Sequence, residues 1–223
     1  MERFDKIIND QQIINLYNQI SDYEDVNNSR AHHNFNHVRN VADLVEKILT
    51  TLNYESDFIE EAKIASILHD TGCLNGKDGH ADRGYEYAKK YIKDNNIILK
   101  YEDMVLSAIK NHSNGFETDN IITLALILAD KLDIKYTRVA KEGYNIPGMK
   151  EMQYINDILV NINNNVLKIE FICDERINLP DLENYYFMPK VFKSIKAFAD
   201  KMNLKSEVLI NGSDWKAFSM IND

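Results

Sequence analysis

A histidine and an aspartate at the end of an apolar helix constrain this chain more than any other feature. The run Ile64–Asp70 has the apolar spacing of a helix and ends in the adjacent pair His69 and Asp70. His69 falls in line with Ala62 and Ala65, so its imidazole is predicted to point into the packed side of the helix. An acid beside a buried histidine is costly unless something positive meets both. A metal ion is the simplest such partner; the alternative is a core histidine beside a surface acid.

The same pattern recurs at other places along the chain. The residues concerned are His37, His80, His112 and Asp130, each on an apolar helical stripe. Together with His69, these residues include four of the six histidines, and the four lie on the apolar faces of four separate predicted helices. Independent core histidines are not expected to be distributed in this way. Imidazoles and carboxylates that converge from several helices are a common way to hold divalent transition metals in a helical core.

The order of these residues resembles the HD-domain superfamily of metal-dependent phosphohydrolases. The segments that carry the resemblance, over about residues 30 to 140, are His37-Val-Arg-Asn-Val-Ala, Leu-His69-Asp-Thr-Gly, His80-Ala-Asp-Arg-Gly-Tyr-Glu, Asn-His112-Ser and Ala-Asp130-Lys-Leu-Asp. The resemblance implies a mainly α fold, an HD-domain helical bundle. The two extra histidines, His80 and His112, are typical of the two-metal members of this superfamily.

The resemblance also implies how six ligands divide between two metal ions. His37, His69 and Asp130 would complete one position. His80 and His112 would form the second, and Asp70 would bridge the two ions. Iron, manganese, cobalt, nickel and zinc all suit imidazole and carboxylate ligands, and the sequence does not choose among them. Two such ions lower the pKa of a bridging water and clamp a phosphate during in-line attack.

Charged residues that flank the ligands are candidates for contacts with a substrate. Lys77, Arg83 and Lys131 are predicted phosphate contacts, because the transition state gains negative charge that needs neutralising. Together with Asp70, Arg83 and Lys131 are the candidate catalytic residues. For each of the three basic residues the alternative is a solvated surface charge.

Two further residues are assigned supporting roles. Asp133 lies one turn beyond Asp130 and is either an acid that orients a ligand histidine or a solvent-facing partner in a salt bridge. His33 belongs to a polar approach to the helix of His37, and it is a candidate for lining the substrate pocket.

Departures from the family patterns bear on the substrate. Members that cleave cyclic dinucleotides carry a lysine just after the His-Asp-x-Gly turn, where this chain has Cys73, and a Gly-Tyr-Pro tripeptide that is absent here. Single-metal members that act on nucleoside monophosphates use a glutamate near that point, which is also missing. The resemblance therefore assigns neither of these two substrate classes.

The predicted function is a metal-dependent phosphohydrolase that hydrolyses a small phosphate ester through a two-metal-activated water, with a nucleotide as the favoured substrate. An alternative from another reaction class is an HD-type diiron oxygenase similar to myo-inositol oxygenase, in which Lys131 or Arg83 would hold an anionic organic substrate. A third reading is a non-catalytic nucleotide sensor that keeps its metals for structure.

Charge, hydropathy and cysteine content limit the other partners. A net charge of -9 argues against binding to duplex nucleic acid, whose phosphates are also negative. The longest apolar run, Ile121–Ala129, is too short to cross a membrane. The first residues lack the basic and apolar segments of a signal peptide. The two cysteines, Cys73 and Cys173, do not indicate a protein stabilised by a set of disulfides. A cytoplasmic location is therefore predicted.

Apolar spacing predicts a helical metal-binding catalytic domain over residues 1–152. Two short helices are expected within residues 1–21, followed by a polar loop from Ser21 to Arg30. Further helices are predicted at about 35–52, 57–69, 80–93, 101–112 and 119–137.

After residue 152 the apolar period changes, and a small α/β lobe is predicted over residues 153–223. Alternating residues on both sides of Asn163–Asn165 predict a hairpin. A helix is expected to start near Pro189, and Glu207–Ile210 is a predicted third strand. This ββαβ lobe is either a lid, specificity or dimer element, which leaves a homodimer open, or a stabilising appendage.

Overall fold

The computed structural model describes residues 2–220, which divide into two compact units. The first comprises the residues up to Asn27 and His32–Asp130, and the second comprises Asn28–Ala31 and the residues from Lys131 onward. The predicted fold class, a mainly α helical bundle with a small C-terminal lobe, is confirmed. The predicted domain boundary after residue 152 stays a prediction. No helix within the described residues is both long enough and apolar enough to span a membrane.

The first unit is built from helices. These are α1 (Glu2–Ile8), α2 (Gln11–Val26), α3 (Phe35–Thr51), α4 (Ser56–Leu68), α5 (His80–Asp94), α6 (Glu102–Asn111) and α7 (Ile121–Leu132), whose last two residues belong to the second unit. A 3-10 turn, Thr71–Asn75, follows α4. The helix ends lie within two residues of those predicted for α3 to α6, because their apolar stripes are regular.

Helix α4 is buried along most of its length. Every residue from Phe58 to Leu68 is buried, and the charged ones among them are paired. Glu61 accepts hydrogen bonds from the backbone N–H groups of Lys100 and Tyr101, at 2.7 and 2.6 Å, and from Arg3 Nη1 at 2.9 Å. A buried side chain on α4 thus caps the start of α6, which carries His112 at its other end.

Two helix ends differ from the predictions. Helix α2 continues to Val26 through the start of the predicted polar loop, because Glu24 on its last turn is buried and accepts the backbone N–H of His33 at 2.8 Å. Helix α7 ends at Leu132 instead of residue 137. Ile134 beyond it is buried, so the apolar spacing continues after the backbone has left the helix.

The second unit contains a sheet of four strands within the described residues. They are β1 (Ile155–Asn163), β2 (Val166–Cys173), β3 (Lys205–Ile210) and β4 (Ser213–Asp214), in that spatial order. Strands β1 and β2 are antiparallel, β2 and β3 parallel, and β3 and β4 antiparallel. Asn164 and Asn165 have φ angles of 49° and 60°, as the tight turn of a two-residue hairpin requires.

Helices connect and cover this sheet. They are α8 (Leu179–Glu183), α9 (Met188–Lys201), which starts beside Pro189 as predicted, and α10 (Lys216–Ser219). The ring of Trp215 lies 5.0 Å from that of Phe171 on β2 and 5.1 Å from that of Phe192 on α9, measured between centroids. The predicted ββαβ order is confirmed, and the short strand β4, which the sequence analysis did not predict, completes the sheet.

Replacing Glu61 with alanine is expected to lower the free energy of unfolding by about 2–3 kcal/mol, because backbone donors and a charged Arg3 lose a buried acceptor. Urea unfolding followed by circular dichroism measures the change. Glu2→Ala is the control, since its side chain is 85% exposed and its loss should cost at most about 0.5 kcal/mol. Equal midpoints for Glu61→Ala and the wild type would contradict the capping role.

Candidate metal centre

Asp70 lies at the centre of a cluster of histidines, and its two carboxylate oxygens face different pairs of them. Oδ2 lies 3.5 Å from Nε2 of His37 and 3.3 Å from Nε2 of His69. Oδ1 lies 3.5 Å from Nε2 of His80 and 3.6 Å from Nε2 of His112. One carboxylate therefore separates four imidazoles into two pairs.

Asp130 joins the first of these pairs. Its Oδ1 lies 3.2 Å from Nε2 of His37 and 3.9 Å from Nε2 of His69. Metal–ligand bonds of about 2.0–2.2 Å put two donors of one ion about 3–4 Å apart, and the separations around Asp70 and Asp130 fall in that range. The structure thus brings all six predicted ligands into one cluster.

The ends of helices supply these ligands. His37 lies in the first turn of α3, His69 and Asp70 directly follow α4, His80 begins α5, His112 directly follows α6, and Asp130 lies near the end of α7. The start of α3 is fixed by Asn34, whose Oδ1 accepts the backbone N–H of His37 at 3.1 Å. Helix ends are suited to this task because several can meet in one core position while their axes diverge.

The same hydrogen bond orients three of the histidines. In His69, His80 and His112, Nδ1 lies 2.6–2.7 Å from the backbone carbonyl oxygen three residues earlier. A carbonyl oxygen can only accept, so Nδ1 carries the hydrogen and Nε2 presents its lone pair to the cluster. This tautomer is the one that binds a metal through Nε2.

The cluster contains buried nitrogen and oxygen atoms whose hydrogen-bonding capacity the described residues leave unused. His69 Nε2 and Asp70 Oδ2 are buried without a hydrogen-bond partner among residues 2–220, which costs about 1–3 kcal/mol for each such group. Nε2 of His80 and Nε2 of His112 lie 2.9 Å apart, where two lone pairs repel each other unless a cation lies beside both. Imidazole and carboxylate donors in this arrangement fit a divalent transition metal.

Burial and neighbouring charge set the protonation states that such a site needs. Burial, assisted by the charge of Lys77, lowers the pKa of His80 to about 4, and burial also lowers the pKa of His112. Burial opposes ionisation of Asp70, but the nearby His69 and Lys77 outweigh it and hold the pKa of the carboxyl well below its usual value. At neutral pH His80 and His112 are neutral and Asp70 is ionised, as metal ligation requires.

Two glycines let the turn after α4 pack directly on α5. A Cβ atom at Gly72 would lie 2.0 Å from the carbonyl oxygen of His80 and 2.5 Å from the backbone N of Gly84. A Cβ atom at Gly84 would lie 2.8 Å from the carbonyl oxygen of His69. Any side chain here would therefore push α5 away, and with it the imidazole of His80 that faces Asp70.

Arg83, a predicted phosphate contact, holds the loop between this turn and α5. Its guanidinium donates hydrogen bonds to the carbonyl oxygens of Gly72, Gly76 and Asp78. These bonds close the loop onto the first turns of α5, which is a structural role that the sequence did not predict. Contact between Arg83 and a substrate stays a prediction.

Lys77 lies where a substrate could meet it. Its Nζ is 3.9 Å from Oδ1 of Asp70, and its side chain is 52% exposed. A basic group that reaches the ligands from solvent suits an anionic group of the substrate, so the geometry is compatible with the predicted phosphate contact.

His33 is buried next to the ligand His37 and pairs with an acid that the sequence analysis missed. Its Nδ1 donates to Oε1 of Glu24, and its backbone N–H donates to Oε2 of the same side chain at 2.8 Å. The rings of His33 and His37 meet edge to face with centroids 6.2 Å apart. This pairing fixes the ring of His33 beside the cluster.

A signal for Glu24 was present in the sequence. The buried residues of α2 include Ile13, Leu16, Tyr17, Ile20 and Glu24, so the acid continues an apolar stripe at helical spacing. An acid in such a position is predicted to have a buried partner. The polar composition of the segment from Ser21 onward concealed this continuation.

Lys131 and Asp133 belong to the second unit. Both are buried, and Nζ of Lys131 lies 5.7 Å from the centroid of the Phe187 ring, a cation–π contact. The alternative assignment of a solvent-exposed charge is therefore wrong for both residues. Their predicted contacts, with a substrate and with a ligand histidine, stay predictions.

Cys73, which the sequence analysis did not assign to the metal site, lies beside Asp70. Its Sγ donates a hydrogen bond to Oδ1 of Asp70 at 3.4 Å, and burial together with the charge of Asp70 raises the pKa of the thiol. One potential ligand atom each from Asp70, Cys73 and His80 lie within 4.8 Å of one another.

Comparison with known families agrees with this geometry. Residues 34–135 match the family model of the HD domain, and the match includes all six clustered residues. This part of the chain is an HD domain, the class of metal-binding helical bundle that the sequence resembles. No curated protein matches the chain.

Replacing Gly72 with alanine is expected to reduce bound metal by displacing the first turn of α5, because backbone atoms occupy the space that the new Cβ needs. Metal content per chain, measured by mass spectrometry after gel filtration, reports the loss. The control is Gly212→Ala, which is strained by a φ of 82° but meets no atom within 4 Å. Wild-type metal content in Gly72→Ala would show that the close packing is not required.

Proposed function

We propose that this protein is a two-metal phosphohydrolase that cleaves a small phosphate ester, with nucleotides as the favoured substrate class. The observation that carries the proposal is the position of Asp70, whose two oxygens each face a different pair of imidazoles at 3.3–3.6 Å. The HD domain is typical of metal-dependent phosphohydrolases, which supports the reaction class.

Each part of the cluster has a role in this proposal. His37, His69 and Asp130 would hold one ion, His80 and His112 would hold the other, and Asp70 would contact both. When bound, two such ions lower the pKa of a water and stabilise negative charge on phosphoryl oxygens. Histidines whose Nδ1 hydrogens are committed to backbone carbonyls keep their Nε2 lone pairs fixed for this task.

Residues around the cluster would bind the substrate. Lys77, half exposed and 3.9 Å from Asp70, would pair with a phosphate oxygen. Glu24 accepts the hydrogen bond from Nδ1 of His33, which holds this ring beside the ligand His37, where it would line the substrate pocket.

The proposal is tested by removing bound metal and reloading the protein with manganese, iron, cobalt, nickel or zinc. Phosphate release is then screened across phosphate esters and nucleotides, with His69→Ala as the inactive control. Turnover above that control with at least one metal is expected. Absence of turnover with every metal would contradict the hydrolase assignment, and oxygen consumption by the iron-loaded protein without phosphate release would favour the oxygenase alternative.

Replacing His80 or His112 with alanine is expected to remove one metal ion and leave the other, because the remaining ion keeps His37, His69 and Asp130. Activity should fall by orders of magnitude if two ions share the work, while the circular dichroism spectrum stays close to that of the wild type. Metal analysis and initial rates on the same samples decide the matter. Two ions still bound with near-normal turnover would make these histidines packing residues.

Replacing Lys77 with alanine is expected to lower kcat/KM by about 5- to 30-fold, which corresponds to the loss of about 1–2 kcal/mol from one charge-assisted contact in the transition state. Metal content should be unchanged. Lys90→Ala is the matched control, since its side chain on α5 is 76% exposed and pairs with Asp94. Equal losses in both variants would remove Lys77 from the substrate site.

A further inference from the structure

We propose that Cys73 is a ligand of the metal ion on the His80–His112 side of Asp70. This would make that position a mixed nitrogen, oxygen and sulfur site that prefers zinc to manganese. The inference rests on the proposed function in one respect, because it requires an ion held by His80 and His112.

The spacing between Cys73 and Asp70 is that of two ligands of one ion. Sγ lies 3.4 Å from Oδ1 of Asp70. Bonds of about 2.3 Å to sulfur and about 2.0 Å to oxygen, at a tetrahedral angle, put the two donors about 3.5 Å apart. Cys73, Asp70 and His80 also contribute three donor atoms that lie within 4.8 Å of one another.

The carboxylate oxygen that Cys73 contacts shows which pair of histidines the thiol lies beside. Oδ1 of Asp70 is the oxygen that faces His80 and His112, whereas Oδ2 faces His37 and His69. Sγ therefore lies on the side of the carboxylate that faces the His80–His112 pair. Two imidazoles, one carboxylate oxygen and one thiol give the four donors that zinc takes in its most common geometry.

The need for a cation at this position does not depend on the cysteine. Nε2 of His80 and Nε2 of His112 lie 2.9 Å apart, and both rings commit Nδ1–H to backbone carbonyls. Asp70 is 1% exposed, and its Oδ1 lies 3.5 Å from Nε2 of His80 and 3.6 Å from Nε2 of His112. Two imidazoles and one carboxylate oxygen thus meet at the position beside the thiol.

The backbone holds Cys73 in place. The thiol side chain is 2% exposed, and the backbone N–H of Cys73 donates to the carbonyl oxygen of Asp70 at 2.9 Å. Gly72, next to it, packs against the first turn of α5. The turn that carries the thiol is therefore fixed to the helix that carries His80.

Two other polar groups face the same position, and neither replaces the thiol as a ligand. Oγ of Ser113 lies 3.4 Å from Nε2 of both His80 and His112, but a neutral hydroxyl is a weak ligand. Nζ of Lys77 lies 3.9 Å from Oδ1 of Asp70, and an ammonium group has no lone pair to offer.

The consequence is metal selectivity. Thiolate ligands favour zinc and other soft or borderline ions, whereas sites made only of imidazole and oxygen ligands also suit manganese. On binding, the metal–sulfur bond replaces the S–H bond, and the proton leaves to solvent. No oxidant or reductant is involved.

Cobalt substitution gives a test that does not depend on activity. The full-length protein is stripped and loaded with Co²⁺, and its near-ultraviolet spectrum is examined for a sulfur-to-cobalt charge-transfer band. The band is expected in the wild type and in Cys173→Ser, whose cysteine belongs to the second unit, and it should be absent in Cys73→Ser. X-ray absorption of the zinc-loaded wild type should show a zinc–sulfur distance of about 2.3 Å, with an average of half a sulfur per zinc ion when two ions are bound.

Metal competition provides the second readout. Cys73→Ser should bind zinc about 10- to 100-fold more weakly than the wild type at one of two positions, with a smaller change for manganese. A chelator titration monitored by metal analysis measures both affinities.

The outcomes separate the inference from the proposed function. Two cobalt ions per wild-type chain without the band, or a band that persists in Cys73→Ser, would overturn the role of Cys73 and leave the two-metal hydrolase standing. Fewer than two ions in the wild type would overturn both. A band that disappears in His80→Ala as well as in Cys73→Ser would place both ligands on one ion.

Discussion

A carboxylate buried among four imidazoles is the constraint on which the first unit depends. Asp70 is 1% exposed and lies within 3.6 Å of four histidine nitrogens. Such a group is expensive to bury without positive charge, so the helices that surround it must bring their polar ends to one point and keep water away. The burial of α4 along nearly its whole length is the consequence, because it carries this carboxylate into the core.

At two helix ends, one hydrogen bond both satisfies a backbone carbonyl and orients a ligand histidine. The last carbonyl groups of a helix lack intrahelical partners, and His69 and His112 directly follow the final residues of α4 and α6. Their Nδ1–H groups satisfy carbonyl oxygens of those last turns. The same bond selects the tautomer that directs Nε2 toward Asp70, so the element that ends the helix also prepares the ligand. Folding and site formation are thereby coupled at the level of a single contact.

The segment between α4 and α5 adds the features that distinguish this chain. Gly72 permits backbone contact with α5, and Arg83 closes the loop by donating to three of its carbonyl oxygens. Lys77 extends from that loop and remains half exposed. Cys73 turns inward to Asp70. One short stretch therefore governs the position of His80, the charge at the entrance and the chemical character of the ligand set.

The sequence by itself determined most of the elements and the residues that form the metal cluster. Apolar spacing predicted α3 to α6 to within two residues, a turn was predicted at Asn163–Asn165 and lies at Asn164 and Asn165, and the six clustered residues were recognised from their order. These features depend on side-chain periodicity and local backbone preference, which can be read along the chain.

Only the tertiary structure decided which side chains approach each other across elements. The pairing of Glu24 with His33, the contact of Cys73 with Oδ1 of Asp70 and the commitment of Arg83 to carbonyl oxygens all fall in this class. The end of α7 at Leu132 belongs there too, because Ile134 keeps the apolar spacing without the helix. Periodicity reports which face of an element is buried, but the partner that it meets is set by how several elements pack together.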